Sequence, residues 1–381
     1  MALALRLARR GLGRVAPNPA VGCLLVREGR IVARGWTQPG GRPHAETMAL
    51  AAAGEAARGA TAYVTLEPCA HEGRTPSCAR TLIETGVQRV VSAIEDPDLR
   101  TAGGGHAMLR KAGIAVTTGI RADEAAELNR GFFLKIREKR PLVTLKLALS
   151  LDGRIATRTG HSRWITGKAA RHHAHGLRAR HDAILVGAGT ARADDPALTC
   201  RLPGLEDASP IRILLSRDPA CPGKDSRLMA SLDDAPVWLV GPKGEWAKKR
   251  PRPDSEQPQK AGLYALPIEE MTDDGEGEVA PPALLAALAG AGITRLLVEG
   301  GAHTAGVLLA SGCVDRLVVY HGACLIGGDG LAGLPALGIE RVDRDAPRFR
   351  LRETIALEET VASVYEPLQA VDDGSSPAET G

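Results

Sequence analysis

Aromatic residues make up only 3% of the 381-residue chain, with three Phe, four Trp and four Tyr. Proteins that hold single-stranded nucleic acid stack bases on such rings, so this composition argues against that class. Neither sign of charge predominates: 48 Lys and Arg stand against 45 Asp and Glu, giving no reason to expect a polyanion such as duplex nucleic acid. No run approaches the roughly 18 consecutive apolar residues that would cross a bilayer. The Ala- and Leu-rich opening Met1 to Leu7 contains Arg6 and is followed by Arg9, Arg10 and Arg14, so it does not read as a secretory signal. No acid precedes Glu28, yet Asn18-Pro19 leads at once into the strand-like run Val21 to Val26, and the opening reads as the first helix of the fold. The seven cysteines (Cys23, Cys69, Cys78, Cys200, Cys221, Cys313, Cys324) are odd in number and widely scattered. Reduced thiols or metal ligation in the cytoplasm fit them better than a disulfide framework.

What the chain does contain is a globular balance of 44% hydrophobic and 24% charged residues, with 44 Gly and 25 Pro. Cores must therefore be built from Ala, Leu, Val and Ile, and at roughly 150 residues per domain the length predicts two or three of them. The first part alternates: an opening helix, strands Val21 to Val26 and Ile31 to Gly35, a helix from Ala45, strand Ala60 to Leu66, helix Ala79 to Glu84, strand Arg89 to Ile94, and helix Gly105 to Ala112. Such alternation predicts an α/β layered sheet. A polar, helix-leaning segment, Arg121 to Arg140, ends in a charge cluster before Pro141, and the pattern restarts at the strand Leu142 to Leu149. Further strands are expected at Ala183 to Val186, Ile211 to Leu215, Val237 to Val240, Arg295 to Glu299 and Arg316 to His321, with helices at Lys168 to Arg180 and Pro282 to Ala289. This predicts α/β domains over residues 1–139 and 140–368, with an exposed loop from Pro242 to Gln259 and a disordered tail over 369–381.

In the first half, His44-Ala45-Glu46 falls where a helix would begin, and Pro68-Cys69 follows a strand with Cys78 nine residues on. One imidazole and two thiolates suit Zn²⁺ with a fourth position open to water, whose pKa falls to about 7 on zinc. Glu46 is not needed as a ligand and is placed to carry a proton from that water to a departing amine. H-x-E followed by P-C is the pattern of a zinc-dependent hydrolytic deaminase.

The cysteine spacing departs from the short P-C-x-x-C of nucleotide and nucleobase deaminases. With Pro17-Asn18-Pro19 and Pro43-His44-Ala45-Glu46, the stretch from Pro68 to Cys78 resembles the deaminase half of the bifunctional riboflavin-biosynthesis deaminase/reductase family. The resemblance implies a cytidine-deaminase-like α/β domain with zinc at His44, Cys69 and Cys78, proton transfer by Glu46, and substrate contacts from Asn18 and His71. Its substrate would be a diaminopyrimidinone ribosylamine phosphate whose ring amine is hydrolysed to a carbonyl.

The second half offers three glycine-rich turns. Gly328 to Gly333 matches G-x-G-x-x-G but lies too near the chain end for a crossover helix and third strand, and reads as a loop. Gly187-Ala188-Gly189-Thr190 and Gly300-Gly301 each follow a buried strand and could present backbone amides to a diphosphate, or simply make tight turns. Four stretches, Leu145 to Arg154, Ser162 to Thr166, Ala193 to Arg201 and Val298 to Gly301, look like the reductase half of the same family, whose fold is similar to dihydrofolate reductase. The resemblance implies NADPH contacts at Ala148, Trp164, Thr190, Asp194 and Ser216, and along the turn made by Gly301, Ala302, His303, Thr304, Ala305, Gly306 and Val307. It places the substrate against Ser162, Arg178, Leu198, Arg201 and Glu299. Arg178 and Arg201 can clamp a phosphate in bidentate fashion. Lys146 and Glu299 are the candidates for polarising and ordering the carbon that takes the hydride, while Asp195 before Pro196 would start a turn.

The expected activity is therefore zinc-dependent deamination followed by NADPH-dependent reduction of the ribosyl group to ribityl. The partner is a small pyrimidine ribose phosphate, with no nucleic acid and no membrane, and a homo-oligomer is left open. A nucleoside or tRNA deaminase with an unrelated second domain is the alternative. The long Cys69 to Cys78 spacing and the near-neutral charge speak against it. A zinc-stabilised scaffold would leave Glu46 without a task and would saturate the metal with four protein ligands.

Overall fold

Apolar alternation after Asn18-Pro19 becomes an antiparallel hairpin of Gly22–Arg27 (β1) and Arg30–Trp36 (β2). Its two-residue turn, Glu28-Gly29, takes positive φ at both positions (52° and 74°), the backbone twist that suits a tight hairpin. The computed structural model describes residues 1–71, 76–98, 102–218, 220–269 and 279–368; the expected tail at 369–381 lies outside the described residues. Among the described residues two units are compact in their contacts, one within 1–142 and 174–297, the other within 143–173 and from 298 on.

In the first unit, β1 also pairs antiparallel with Thr61–Val64 (β3), which runs parallel to Arg89–Ser92 (β4), itself parallel to Ala115–Thr117 (β5). The order is β2-β1-β3-β4-β5. Successive side chains of a strand face opposite ways, and the burial follows. Cys23, Leu25, Ala62 and Val64 join the core with Ala49 of helix Ala45–Ala53 (α2), Leu82 of Cys78–Glu84 (α3) and Leu109 of Gly104–Lys111 (α4). Leu24 turns to the other face, against Ala4 and Leu7 of the opening helix Ala2–Ala8. Gly35 is what lets α2 lie on β2: a Cβ there would sit 2.1 Å from the Ala45 carbonyl oxygen.

The polar segment after β5 forms two helices, Ala122–Leu128 and Arg130–Glu138. Asn129 separates them because its amide is committed elsewhere, accepting from the Ala20 N–H at 2.9 Å and donating to the Ala20 carbonyl at 3.1 Å. This buried clamp fixes the Pro17-Asn18-Pro19 turn.

The rest of the first unit has five neighbouring strands in the order Leu263–Ile268, Val237–Pro242, Ile211–Leu215, Ala183–Gly187 and Arg295–Val298. Burial on both faces explains their nearly continuous apolar sequences. Arg212 is the exception; fully buried, it donates to the Ser231 carbonyl and hydroxyl, both at 2.6 Å, and to the Ala197 and Ala235 carbonyls. Burial among neutral acceptors lowers its pKa to about 10. Two expectations need correction. The strand Leu263–Ile268 was not anticipated, and the loop expected from Pro242 begins inside a strand and includes the helical turn Glu245–Lys248, closed by Trp246 Nε1 donating to the Pro242 carbonyl at 2.8 Å.

In the second unit, Leu142–Leu149 runs parallel to Arg316–Gly322, which pairs antiparallel with Thr360–Pro367. Phe349–Leu357 completes a hairpin that the sequence did not announce. Asp152 organises the loop ahead of Gly328: it accepts from Ser150 Oγ (2.6 Å) and from the Ile326 and Gly327 amides (3.1 and 2.7 Å). These donors hold its carboxyl down at about 2. The Gly328 to Gly333 segment is loop, as expected, with a two-residue strand at Leu331–Ala332. No helix among the described residues is long and apolar enough to cross a membrane.

Candidate active sites

Helix α3 draws two of the three expected metal ligands together. Ser77 caps it, accepting from the Arg80 N–H at 3.3 Å, and the next two free amides go to Cys69: the Cys78 N–H to its sulfur at 3.3 Å and the Ala79 N–H to its carbonyl at 3.1 Å. The helix thereby satisfies its orphan donors while placing Cys78, its first residue, beside Cys69. His44 arrives from the start of α2, with Nδ1 3.3 Å from Cys78 Sγ and 3.8 Å from Cys69 Sγ.

The ligand atoms of His44, Cys69 and Cys78 all lie within 4.8 Å of one another, the only such cluster among the described residues. A tetrahedral zinc with bonds of about 2.05 Å to nitrogen and about 2.3 Å to sulfur keeps N and S about 3.6 Å apart. The observed separations match, so the donor set fits zinc in both chemistry and spacing. Hydrogen bonds from Cys78 and His44 bring the Cys69 thiol down to about 4, so one thiolate is available before any metal arrives.

Glu46 is 4% exposed, and burial pushes its carboxyl up to about 7. It opens with His44 and Cys69 onto a cavity of about 210 Å³ that Asn18, His71, Phe132 and Lys135 also line. Of the first expected constellation, His44, Glu46, Cys69, Asn18 and His71 line this one cavity, and Cys78 stands behind it with its sulfur within 4.8 Å of the His44 and Cys69 ligand atoms. Asp96 lines it too, its carboxyl raised by burial to about 6.

The expected reductase residues fall on both units. In the second, Lys146 Nζ lies 3.7 Å from Glu299 Oε2, an ion pair whose side chains are 19% and 10% exposed. Ala148 is two residues along the same strand, and Ser162 and Trp164 occupy the loop between the short strand Arg154–Ala156 and helix Lys168–Arg178. Trp164 is 68% exposed, with the Arg171 guanidinium 4.1 Å from its ring centre. Gly301 caps helix Ala302–Ala310 without any side-chain hydrogen bond; Ala305 and Gly306 face inward, while His303 is exposed.

In the first unit, Gly187 to Thr190 proves to be a strand end running directly into helix Ala188–Asp194. Thr190 and Asp194 lie on that helix; Asp195 ends it at φ 37° and accepts from the Arg227 N–H at 2.9 Å, a structural part. Arg178 donates to the Thr199 carbonyl at 3.1 Å, which sets it beside buried Leu198, and the Arg201 amide donates to His175 Nδ1 at 3.2 Å. Ser216 closes a local turn with Asp218.

Comparison with known proteins decides the family. Residues 1–94 match the cytidine and deoxycytidylate deaminase zinc-binding region, and residues 141–362 match the RibD C-terminal domain. The riboflavin biosynthesis protein RibD of Escherichia coli (strain K12) is 41% identical over 368 residues, covering 93% of this chain and 94% of that one. The chain belongs to the RibD family. Acinetobacter baumannii RibD superimposes with a TM-score of 0.83 at 36% identity, covering 97% of this chain and 98% of that one. A diaminohydroxyphosphoribosylaminopyrimidine deaminase/5-amino-6-(5-phosphoribosylamino)uracil reductase from Thermotoga maritima gives 0.81 at 33% identity, with 97% of each covered.

The chain is thus a RibD deaminase/reductase of riboflavin biosynthesis, with a zinc-binding deaminase domain ahead of a dihydrofolate-reductase-like reductase domain that uses a nicotinamide cofactor. Coverage of both halves displaces the alternative of a deaminase with an unrelated passenger.

Sequence reasoning missed one residue of the RibD deaminase centre, Glu67. Its side chain is fully buried, and it accepts from the amides of Asp96 (3.2 Å), Gly103 (2.9 Å) and His106 (3.0 Å). It thereby moors the loop carrying Asp96 and the start of α4 beside Pro68-Cys69. Gly105 permits the approach, since a Cβ there would fall 1.8 Å from the Pro68 carbonyl oxygen. Glu67→Ala leaves one buried and two half-buried donors without their acceptor and should cost about 2 to 3 kcal/mol at roughly 1 kcal/mol each. Urea unfolding of the zinc-loaded chain measures this; an unchanged midpoint would refute the mooring role.

Proposed function

We propose that the chain hydrolyses the ring amine of diaminohydroxyphosphoribosylaminopyrimidine in its first domain. Its second domain then reduces the ribosyl group of 5-amino-6-(5-phosphoribosylamino)uracil to ribityl with NADPH. The observation that carries this reading is a His/Cys/Cys triad whose His44 and Cys69 share one cavity with the buried Glu46, itself outside the ligand cluster. The functional division falls near residue 140, in keeping with the spans of the two family matches, and the compartment is the cytoplasm.

Hydrolysis of a ring amine forms one C–O bond, breaks one C–N bond and needs a proton on the departing nitrogen. Zinc, when bound by His44, Cys69 and Cys78, supplies Lewis acidity and lowers the pKa of water to about 7. Glu46 collects the proton that the attacking water gives up, and with its carboxyl near 7 it can also release that proton to the amine. Asn18 and His71 contact the substrate at the rim of the same cavity.

NADPH, when bound, would supply a hydride to the first carbon of the ring-opened ribosylamine imine, which with a proton on the nitrogen becomes the CH2–NH end of the ribityl chain. Ala148, Trp164, Thr190, Asp194, Ser216 and the segment from Gly301 to Val307 hold it, the uncapped amides after Gly301 suiting a phosphate. Lys146, paired with Glu299, polarises the carbon that accepts the hydride. Ser162 and Leu198 contact the substrate, whose phosphate Arg178 and Arg201 clamp.

A two-stage incubation tests the sequence of reactions. Zinc-loaded protein given the diaminopyrimidine alone should release one ammonia per turnover and stop at the deaminated uracil. Adding NADPH should then oxidise one NADPH per ribityl product. Ammonia release without NADPH oxidation would refute the reductase assignment, and NADPH oxidation before any ammonia release would refute the order.

A further inference from the structure

Two residues beside the Lys146–Glu299 pair have no task in the reading so far. Tyr320 lies on strand Arg316–Gly322, 1% exposed and in register with Ala148. Its hydroxyl is 2.7 Å from Nδ1 of His173, on helix Lys168–Arg178, and the two rings meet edge-on with centroids 5.8 Å apart. Burial, with the Glu299 carboxylate adding to it, pushes the phenol well above its ordinary value, so it stays neutral. The ring face is presented to the lysine: Lys146 Nζ is 5.7 Å from the ring centroid, within cation–π range.

These contacts divide the work of holding one flexible cation. Glu299 at 3.7 Å is beyond a well-formed charge-assisted hydrogen bond, so it attracts the ammonium without fixing its direction. The Tyr320 face supplies a second contact. An aromatic ring is a steady platform only if it cannot swing, and the bond to His173 holds its far end.

We propose that Tyr320, anchored by His173, is a positioning residue of the reductase centre that holds the Lys146 ammonium against Glu299. The proposal rests on the reading of Lys146 and Glu299 as that centre. Residue type alone does not reveal it, since Tyr320 closes the apolar run Leu317 to Tyr320 and reads as core, and His173 is one of several histidines in its helix.

The test uses the full-length, zinc-loaded chain with 5-amino-6-(5-phosphoribosylamino)uracil and NADPH. Rates are expressed per NADPH-binding site, and deaminase activity serves as the control for folded protein. Tyr320→Leu should lower kcat of reduction about tenfold, the scale of a desolvated cation–π contact, with the KM for NADPH unchanged. Tyr320→Phe and His173→Ala keep the ring and lose its anchor, so each should lower kcat about threefold. Because they remove the same bond, the double variant should be no slower than either alone. On a Lys146→Met background, Tyr320→Leu should cost nothing further, a result that a purely packing role would not give.

Full kcat in Tyr320→Leu beside an impaired Lys146→Met would overturn the positioning role. So would multiplicative losses in Tyr320→Phe/His173→Ala, a tenfold loss persisting on the Lys146→Met background, or a raised KM for NADPH at unchanged kcat. Full kcat in Lys146→Met would instead overturn the underlying reading of the centre, and the proposal with it.

Discussion

Glu46→Gln should retain a full complement of zinc and lose deamination by about 10²- to 10⁴-fold, the usual worth of a positioned general acid–base. The loss follows from where Glu46 stands. It lies outside the ligand cluster of His44, Cys69 and Cys78, so the metal does not depend on it. It occupies the first turn of α2, two residues from His44, in a packed position 4% exposed, and glutamine fills nearly the same volume there. What the amide cannot do is take up a proton and give it back. Reduction of separately supplied 5-amino-6-(5-phosphoribosylamino)uracil should continue at its normal rate, which separates a catalytic loss from a folding loss. Metal analysis, ammonia release and NADPH oxidation on one preparation check all three statements. Normal deamination by Glu46→Gln would show that another group moves the proton.

The deaminase centre was legible because its chemistry is written locally. His44-Ala45-Glu46 marks a helix start, Pro68-Cys69 lies in the loop that follows β3 and Cys78 opens α3, so residue type and position carried the signal together. Glu67 was illegible for the opposite reason: its three partners are the amides of residues 96, 103 and 106, which only the folded loop brings to it. Asn129 splits an otherwise continuous helical segment through bonds to Ala20, 109 residues away.

The parallel strands were read from apolar runs, and Ile211–Leu215 held even though Arg212 interrupts its run, because neutral carbonyls and a hydroxyl accept that buried guanidinium. The hairpin of Phe349–Leu357 and Thr360–Pro367 escaped notice because its edge strand is largely exposed. Arg350, Arg352 and Glu353 give it the charged face that keeps an edge from pairing with other chains, and that dilutes the apolar alternation by which strands are recognised. Gly187 to Thr190 reads as a turn from its glycines, yet the chain passes from strand to helix there with no intervening loop.

Cys69→Ser and Cys78→Ser should each lower zinc affinity by more than about 100-fold, since even outer partners of metal ligands are worth 10- to 100-fold. Deamination should disappear with the metal while reduction continues. Three ligands leave no redundancy, and a serine hydroxyl is a poor substitute for thiolate at neutral pH. Both replacements are small enough to leave the surroundings in place: Ser77 still caps α3, and the Ala79 amide still donates to the carbonyl of residue 69. Cys69 should be the more damaging of the two for local order, because its sulfur also accepts the Cys78 amide at 3.3 Å. Cys313→Ser, whose sulfur donates locally to the Ser311 carbonyl at 3.5 Å, should keep its zinc and serve as the control for thiol loss. Equilibrium dialysis against a competing chelator, followed by metal analysis, reads the affinities. Full zinc in both Cys69→Ser and Cys78→Ser would place the metal elsewhere. Loss of reduction along with the zinc would mean that the metal supports the reductase as well as the deaminase, contrary to a site built wholly from residues 44, 69 and 78 of the first domain.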